Sequence, residues 1–235
     1  MKKKEKLFTI PSFKDVMRWV RNIFLSLFVL SVVLVLLARF LPIPITPLMV
    51  LRNIEQVENG KPLRLKKKWV PLDKISPNIV NAVIASEDNK FREHWGFDFD
   101  AISIAREKNK QRGENTFGAS TISQQTAKNL FLCPSRSWLR KGIEVYFTLM
   151  IELLWSKDRI MEVYLNIIEM GDGIYGIERA SNIYYGIAAS ELSRSQAALI
   201  AVSLPSPRKY NPQNPTAYLK KRQAQILKVM RQMGN

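Results

Sequence analysis

Residues 76–96 read SPNIVNAVIASEDNKFREHWG, and this stretch decides the fold class. Ser76 followed by Pro77 is a helix start: a hydroxyl that accepts from a free amide, then a ring whose missing N–H is no loss in the first turn. From Asn78 to Glu87 no glycine or proline interrupts the run, so the helix is expected to carry Glu87 and Asp88 to its C-terminal end. The backbone dipole is negative there. A carboxylate at that end, flanked by Val83, Ile84 and Ala85, is expected to hold its proton more tightly than usual, the direction a general base needs.

Phe91, His94, Trp95, Gly96, Phe97, Asp98 and Phe99 follow, an aromatic cluster around the one histidine of the chain. Such clusters usually make core. For His94 two readings stand: a hydrogen bond that positions the acidic pair, or direct chemistry. One histidine and one cysteine give no zinc-ligand set. Cys133, in an apolar stretch before Pro134, is expected to pack as a small hydrophobe.

Toward the C-terminus, FGASTISQQTAKNLFL starts at Phe117 with Ser120 as its expected N-cap, and the amides of that helix start are open to an anion. Thr121, Gln125 and Lys128 share one face, while Ile122, Leu130 and Phe131 lie on the other. Spacing leaves open whether the polar face meets solvent or lines a cleft. The next helix, SWLRKGIEVYFTLMIELLW over 137–155, is apolar almost all round, which predicts burial. Yet Arg140, Glu144, Thr148 and Glu152 recur along it every fourth residue. An Arg140–Glu144 ion pair would satisfy that stripe; with Lys128 and Arg136 close in sequence, a substrate anion is the second reason for it. Ser193 with Gln196 forms a capping box, and Asn214-Pro215 is expected to open a last helix running to Gly234. Strand-like alternation is scarce and no repeat appears, so the expected domain is mainly α.

Before this domain, IFLSLFVLSVVLVLLA spans Ile23–Ala38 without a charge. Its neighbours extend it to a span over 19–41, about the twenty residues a bilayer needs. A buried core helix is disfavoured by apolarity on every side. A cleaved leader is disfavoured by the lack of a small-residue cleavage pattern in Arg39-Phe40-Leu41-Pro42. Lys2, Lys3, Lys4, Lys6, Lys14, Arg18 and Arg21 against Glu5 and Asp15 put the N-terminus, residues 1–18, in the cytoplasm by the positive-inside rule. Pro42, Pro44 and Pro47 then predict a stiff exit, with 42–75 a membrane-proximal stalk and 76–235 the exported domain. The formal charge of +16 over 235 residues predicts polyanionic partners. An exported domain meets lipid phosphate and wall precursors, not nucleic acid.

Taken together these residues resemble the transglycosylases that polymerise bacterial peptidoglycan, the lysozyme-like family 51 glycosyltransferases, and most nearly their monofunctional biosynthetic type. The family's ED..F..H.G stands here as EDNKFREHWG, its GAST(I)..QQ..KN as GASTISQQTAKN, and its RK..E as RKGIE from Arg140 to Glu144. Two further stretches, starting at Trp155 and Ala197, follow in the expected order, so the likeness runs from about residue 60 onward.

The resemblance implies a lysozyme-like helical domain behind one N-terminal membrane helix, in the bacterial inner membrane with the catalytic domain periplasmic. It implies lipid II as acceptor and an undecaprenyl-pyrophosphate-linked glycan as donor, joined with inversion. Glu87 would be the base and Glu144 the second essential glutamate. Asp88, Phe91, His94, Ser120, Thr121, Gln124, Gln125, Lys128, Arg136, Arg140 and Lys141 would contact or arrange the substrate. No cofactor is required by the sequence; a divalent cation, magnesium or manganese, is the one ion the resemblance leaves room for. Other wall synthases are conceivable partners. No Ser-x-x-Lys stands near a suitable partner set, so no transpeptidase step is expected. The rival readings are an anchored lysozyme-like hydrolase and a scaffold that binds wall precursors without turnover.

Overall fold

The computed structural model describes residues 12–60, 62, 64–113, 118–135 and 137–233. The chain divides into two units, Met1–Phe40 and Leu41–Asn235.

The first unit is helix α1 (Phe13–Phe40), by length and composition able to cross a membrane. Its 28 residues rise about 42 Å. It begins before the expected span because Ser12 takes the capping position: the Asp15 amide donates to its hydroxyl, which in turn donates to the Asp15 carboxylate at 2.7 Å. The helix therefore runs through the basic flank before reaching the apolar run. Lys2, Lys3, Lys4, Glu5 and Lys6 lie outside the described residues.

The second unit opens with α2 (Pro47–Glu58), strand β1 (Lys66–Lys67) and a 3-10 turn at Leu72–Lys74. Residues 42–75, read from sequence as a stalk, are thus built into the unit that holds the site. Pro47 is the first residue of α2 and Thr46 its cap, so one exit proline is a helix starter. The Val70 amide donates to Asn166 Oδ1 at 2.9 Å, Asn166 Nδ2 returns a bond to Val70 O at 2.8 Å, and Lys68 pairs with Glu178 at 3.0 Å.

The rest is helical: α3 (Pro77–Glu87), α4 (Phe99–Arg112), α5 (Ile122–Phe131), α6 (Trp138–Leu154) and α7 (Lys157–Ile167). A hairpin, β2 (Glu169–Gly171) and β3 (Ile174–Tyr175), precedes α8 (Ile177–Tyr185), α9 (Arg194–Ser203) and α10 (Ala217–Met233). β3 is the central strand, parallel to β1 and antiparallel to β2. Strands of two or three residues are too short for alternation to show in the sequence.

α3, α9 and α10 pack on one another, and α5 packs on α6 and α7. Ile79 and Val83 of α3, Ala197 and Ala201 of α9 and Leu219 of α10 are fully buried. The Ser193–Gln196 box that opens α9 forms as the sequence predicts. α10 differs: its first turn is capped by Thr216, whose hydroxyl accepts from the Leu219 amide, while Asn214 closes a turn onto Asn211 O. Gly234 lies outside the described residues.

Two expectations are overturned. Cys133 is exposed: α5 stops at Phe131, so the thiol falls on the connection instead of the helix's inner face. α6 is not buried all round: the charged stripe is buried as expected, but one apolar face is exposed. Glu144, Thr148 and Glu152 are buried with Ile151, whereas Trp138 (93% exposed), Leu139 (77%) and Leu153 (70%) point outward. Near-uniform apolarity does not say which face turns inward; the charged partners waiting inside decide it.

Candidate active site

Glu87 ends α3 as predicted, with Asp88 as its C-cap. Glu87 is half-buried, and Gln125 Nε2 of α5 donates to its Oε2 at 3.0 Å. Burial raises its proton affinity above the ordinary carboxylate range; bonds from Gln125 and Ser86 and the charge of Arg222 pull the other way. The expected direction is thus present, with burial, one of the two causes the sequence pointed to, as the leading one.

Asp88 faces inward. Its Oδ1 lies 2.8 Å from His94 Nε2, and its Oδ2 accepts from the Ile122 amide at 3.0 Å, tying the end of α3 to the first turn of α5. Of the two readings of His94, this geometry supports positioning: the ring is turned onto Asp88. Phe91 is wholly buried, with Lys157 Nζ 4.7 Å above its ring. Lys157 also donates to His94 O at 2.6 Å and to Glu152 Oε1 at 2.7 Å, and Ser123 donates to the same carboxylate.

Gly96 makes this crossing possible. Its φ of +82° belongs to glycine, and an added Cβ would lie 2.8 Å from Thr148 Cγ2 and 3.0 Å from Glu152 Cγ. Thr121 Oγ1 donates to Gly96 O at 2.7 Å. Thr121, not Ser120, is the cap of α5, and Gln124 closes a capping box with it. Ser120 is exposed and lines a hollow of about 280 Å³ beside Glu87, Asp88, Asp98 and Lys108. A wider hollow of about 770 Å³ runs alongside, with Gln124, Lys141 and Arg106 in its wall.

Further along α5 lies a third hollow, about 500 Å³, lined by Arg52, Lys128, Asn129, Ser135 and Arg140 among others. The α5 polar stripe therefore lines clefts. Burial pushes the Lys128 amine down, while Glu144 and Glu87 both act to raise it, so this cation lies within electrostatic reach of both glutamates. Arg140 Nη1 donates to Glu144 Oε2 at 2.7 Å and Lys141 Nζ donates to Oε1. Arg136 lies outside the described residues.

Glu144, with each oxygen engaged by a cation, offers no open oxygen pair to a divalent ion. Among the described residues no group of three or more His, Cys, Asp or Glu side chains is arranged to hold a metal ion by itself.

Three contributors were not foreseen. Lys157 braces the His94 turn, Arg52 enters the cationic wall from residues read as a stalk, and the buried Tyr164 donates to Gln125 Oε1 at 3.4 Å. Each comes from an element remote in sequence from its target, so local pattern carried no signal of the contact.

The family model described as transglycosylase matches residues 53–231. A biosynthetic peptidoglycan transglycosylase of Bacteroides thetaiotaomicron is 52% identical over 217 residues, covering 92% of this chain and 87% of that protein. Proteins of the same description from Bdellovibrio bacteriovorus and Pseudomonas syringae are each 50% identical, covering 89% and 87% of this chain and 84% and 86% of their own lengths. The match takes in α3, α5 and α6 with every described side chain of the cleft except Leu48 and Arg52, and the chain belongs to the transglycosylase family.

Proposed function

We propose that this protein polymerises lipid II into β-1,4-linked glycan, releasing undecaprenyl pyrophosphate, with inversion at the donor's anomeric carbon and no transpeptidase step. The observation that carries this reading is the unequal state of the two glutamates. Glu87 is half-buried beside an open hollow, whereas both Glu144 oxygens are engaged by Arg140 and Lys141. A lysozyme-type hydrolase needs two working carboxyl groups across the scissile bond. A Glu144 that is tied up by cations, within a wall of cations, suits a donor whose leaving group is already an anion.

Glu87 takes the proton from the acceptor's 4-hydroxyl as that oxygen bonds to the donor's anomeric carbon. The bond from that carbon to phosphate oxygen breaks, and its electron pair leaves on pyrophosphate. Lys128 and Arg140, with Arg136 in this reading, stabilise that charge where it develops. Glu144 holds Arg140 and Lys141 in place. Asp88, His94 and Phe91 fix the chain that presents Glu87, and Thr121 and Gln124 shape the start of α5. Ser120 and Gln125 border the acceptor side. No step runs through a metal ion.

The membrane setting supports the same reading. α1 is long and apolar enough to cross a bilayer, and the outward apolar face of α6 suits a domain lying against one. The positive flank of α1 supports a cytoplasmic N-terminus and a periplasmic catalytic domain at the bacterial inner membrane.

The test is incubation of the full-length protein with lipid II, followed by separation of polymer from lipid. Glycan polymer with stoichiometric undecaprenyl pyrophosphate is expected. Cleavage of preformed glycan without polymer would establish the hydrolase instead, and tight lipid II binding without turnover the scaffold.

A further inference from the structure

Among the described residues, every charged one in the wall of the 500 Å³ hollow between α2, α5 and α6 is a cation: Arg52, Lys128 and Arg140. Two of them share an unusual state. Arg140 is held from behind by Glu144 at 2.7 Å, and its Nε–H is buried without an acceptor. Arg52 is held by Glu55 at 2.6 Å; its Nε lies 3.6 Å from Glu169, beyond hydrogen-bond reach, and is likewise buried without an acceptor. Lys128 is half-buried and makes no ion pair among the described residues.

A buried donor without an acceptor is costly, and three cations around one hollow repel one another. The repulsion is relieved when an anion with several oxygens enters the hollow and meets the exposed part of each side chain. A guanidinium fork braced by carboxylates is also preorganised, so little side-chain entropy is lost on binding phosphate. The bland alternative is that Arg52 merely ties α2 to Glu169 on the hairpin. That role explains the Glu55 and Glu169 contacts but leaves unaccounted for a described wall whose charged residues are all cations.

We propose that Arg52 is a phosphate-binding residue of the donor site, completing with Lys128 and Arg140 a three-cation cradle for a pyrophosphate group. This rests on reading that cleft as the donor's. It gives α2, the first helix after the apolar span in sequence, a direct part in substrate binding. The same chemistry would also recognise the phosphate of an anionic lipid headgroup, and the experiment separates the two sources.

Full-length protein carrying Arg52→Gln, Arg52→Lys, Glu169→Gln or Lys128→Ala is titrated with inorganic pyrophosphate and, separately, with phosphatidylglycerol vesicles, and each variant is assayed for lipid II turnover. Arg52→Gln is expected to weaken pyrophosphate binding and lower kcat/KM by about tenfold or more, the loss typical of a charge-assisted bond to phosphate. Glu169→Gln, which breaks the structural tie alone, is expected to bind pyrophosphate within about threefold of the unaltered protein. If Arg52→Gln does not fold, Arg52→Lys keeps a charge without the Nε–H and is expected to lose about threefold or more.

Unchanged pyrophosphate affinity in the folded Arg52 variants, with Lys128→Ala impaired, overturns the assignment of Arg52 and leaves the donor site standing. Unchanged affinity in Lys128→Ala as well removes the donor-site reading and this inference with it. Loss of vesicle binding with pyrophosphate affinity intact assigns Arg52 to headgroups and also overturns the proposal.

Discussion

Gln125 Nε2 donates to Glu87 Oε2 at 3.0 Å, and Tyr164, beneath it, donates to the other end of the same amide. The phenol thereby fixes which way the amide faces, and the amide fixes the carboxylate. This bond lowers the proton affinity of Glu87 against the opposite pull of burial.

Removing the amide should therefore be visible as a pH effect. The base works when deprotonated, so the ascending limb of the pH–rate profile follows the Glu87 pKa, which burial already places above 4.5. Gln125→Met deletes a contact that favours the charged form, and the limb should move to higher pH. A limb that stays in place or moves down would show that Gln125 does not set this carboxylate.

Glu87→Gln should lower polymerisation by roughly a hundredfold to ten-thousandfold, the usual cost of a lost general base. The same change should not lower stability at neutral pH. A carboxyl group whose folded pKa is raised binds more protons folded than unfolded, so its contribution favours the fold below its unfolded pKa and is lost as pH rises through the folded one. Glutamine removes that penalty. Thermal melting at pH 7 and at pH 4 checks it: the variant's advantage should shrink in acid.

Gly96→Ala should destabilise the domain by about 2 kcal/mol or more, because it combines an unfavourable φ with contacts that need α6 to move. The measurement is the melting temperature, with circular dichroism to show that the helices remain.

Asp88→Asn should be more damaging to structure than to any single contact with substrate. Its two oxygens serve the His94 ring and the Ile122 amide, and an amide side chain can satisfy only one of them as an acceptor. A loss of about 1–3 kcal/mol is expected by denaturant titration.

Leu139→Gln combined with Leu153→Gln should leave the melting temperature nearly unchanged, since both side chains are mostly exposed. Vesicle association and turnover of bilayer-held lipid II should fall, while turnover in detergent persists. Equal activity in both settings would mean that the outward face of α6 meets no membrane.

Local chemistry made much of this protein legible in its sequence. The Ser76-Pro77 start, the Ser193 box, the uncharged run before Arg39 and the placing of Glu87 at a helix end depend on residues a few positions apart, whose hydrogen-bonding needs are the same in any tertiary setting. The motifs, and with them the family, were likewise readable.

Tertiary structure decided the rest. Whether α6 turned its leucines or its glutamates inward depended on Ser123 of α5 and Lys157 of α7 being there to receive Glu152. Whether residues 42–75 formed a stalk or a wall depended on α2 finding α5 and on Val70 finding Asn166. Thr121 took the cap because Gly96 O and Gln124 gave its hydroxyl and amide their partners. Such choices turn on burial and on partners distant in sequence. Spacing along one helix therefore fixed which residues share a face, and only the assembled fold fixed what that face meets.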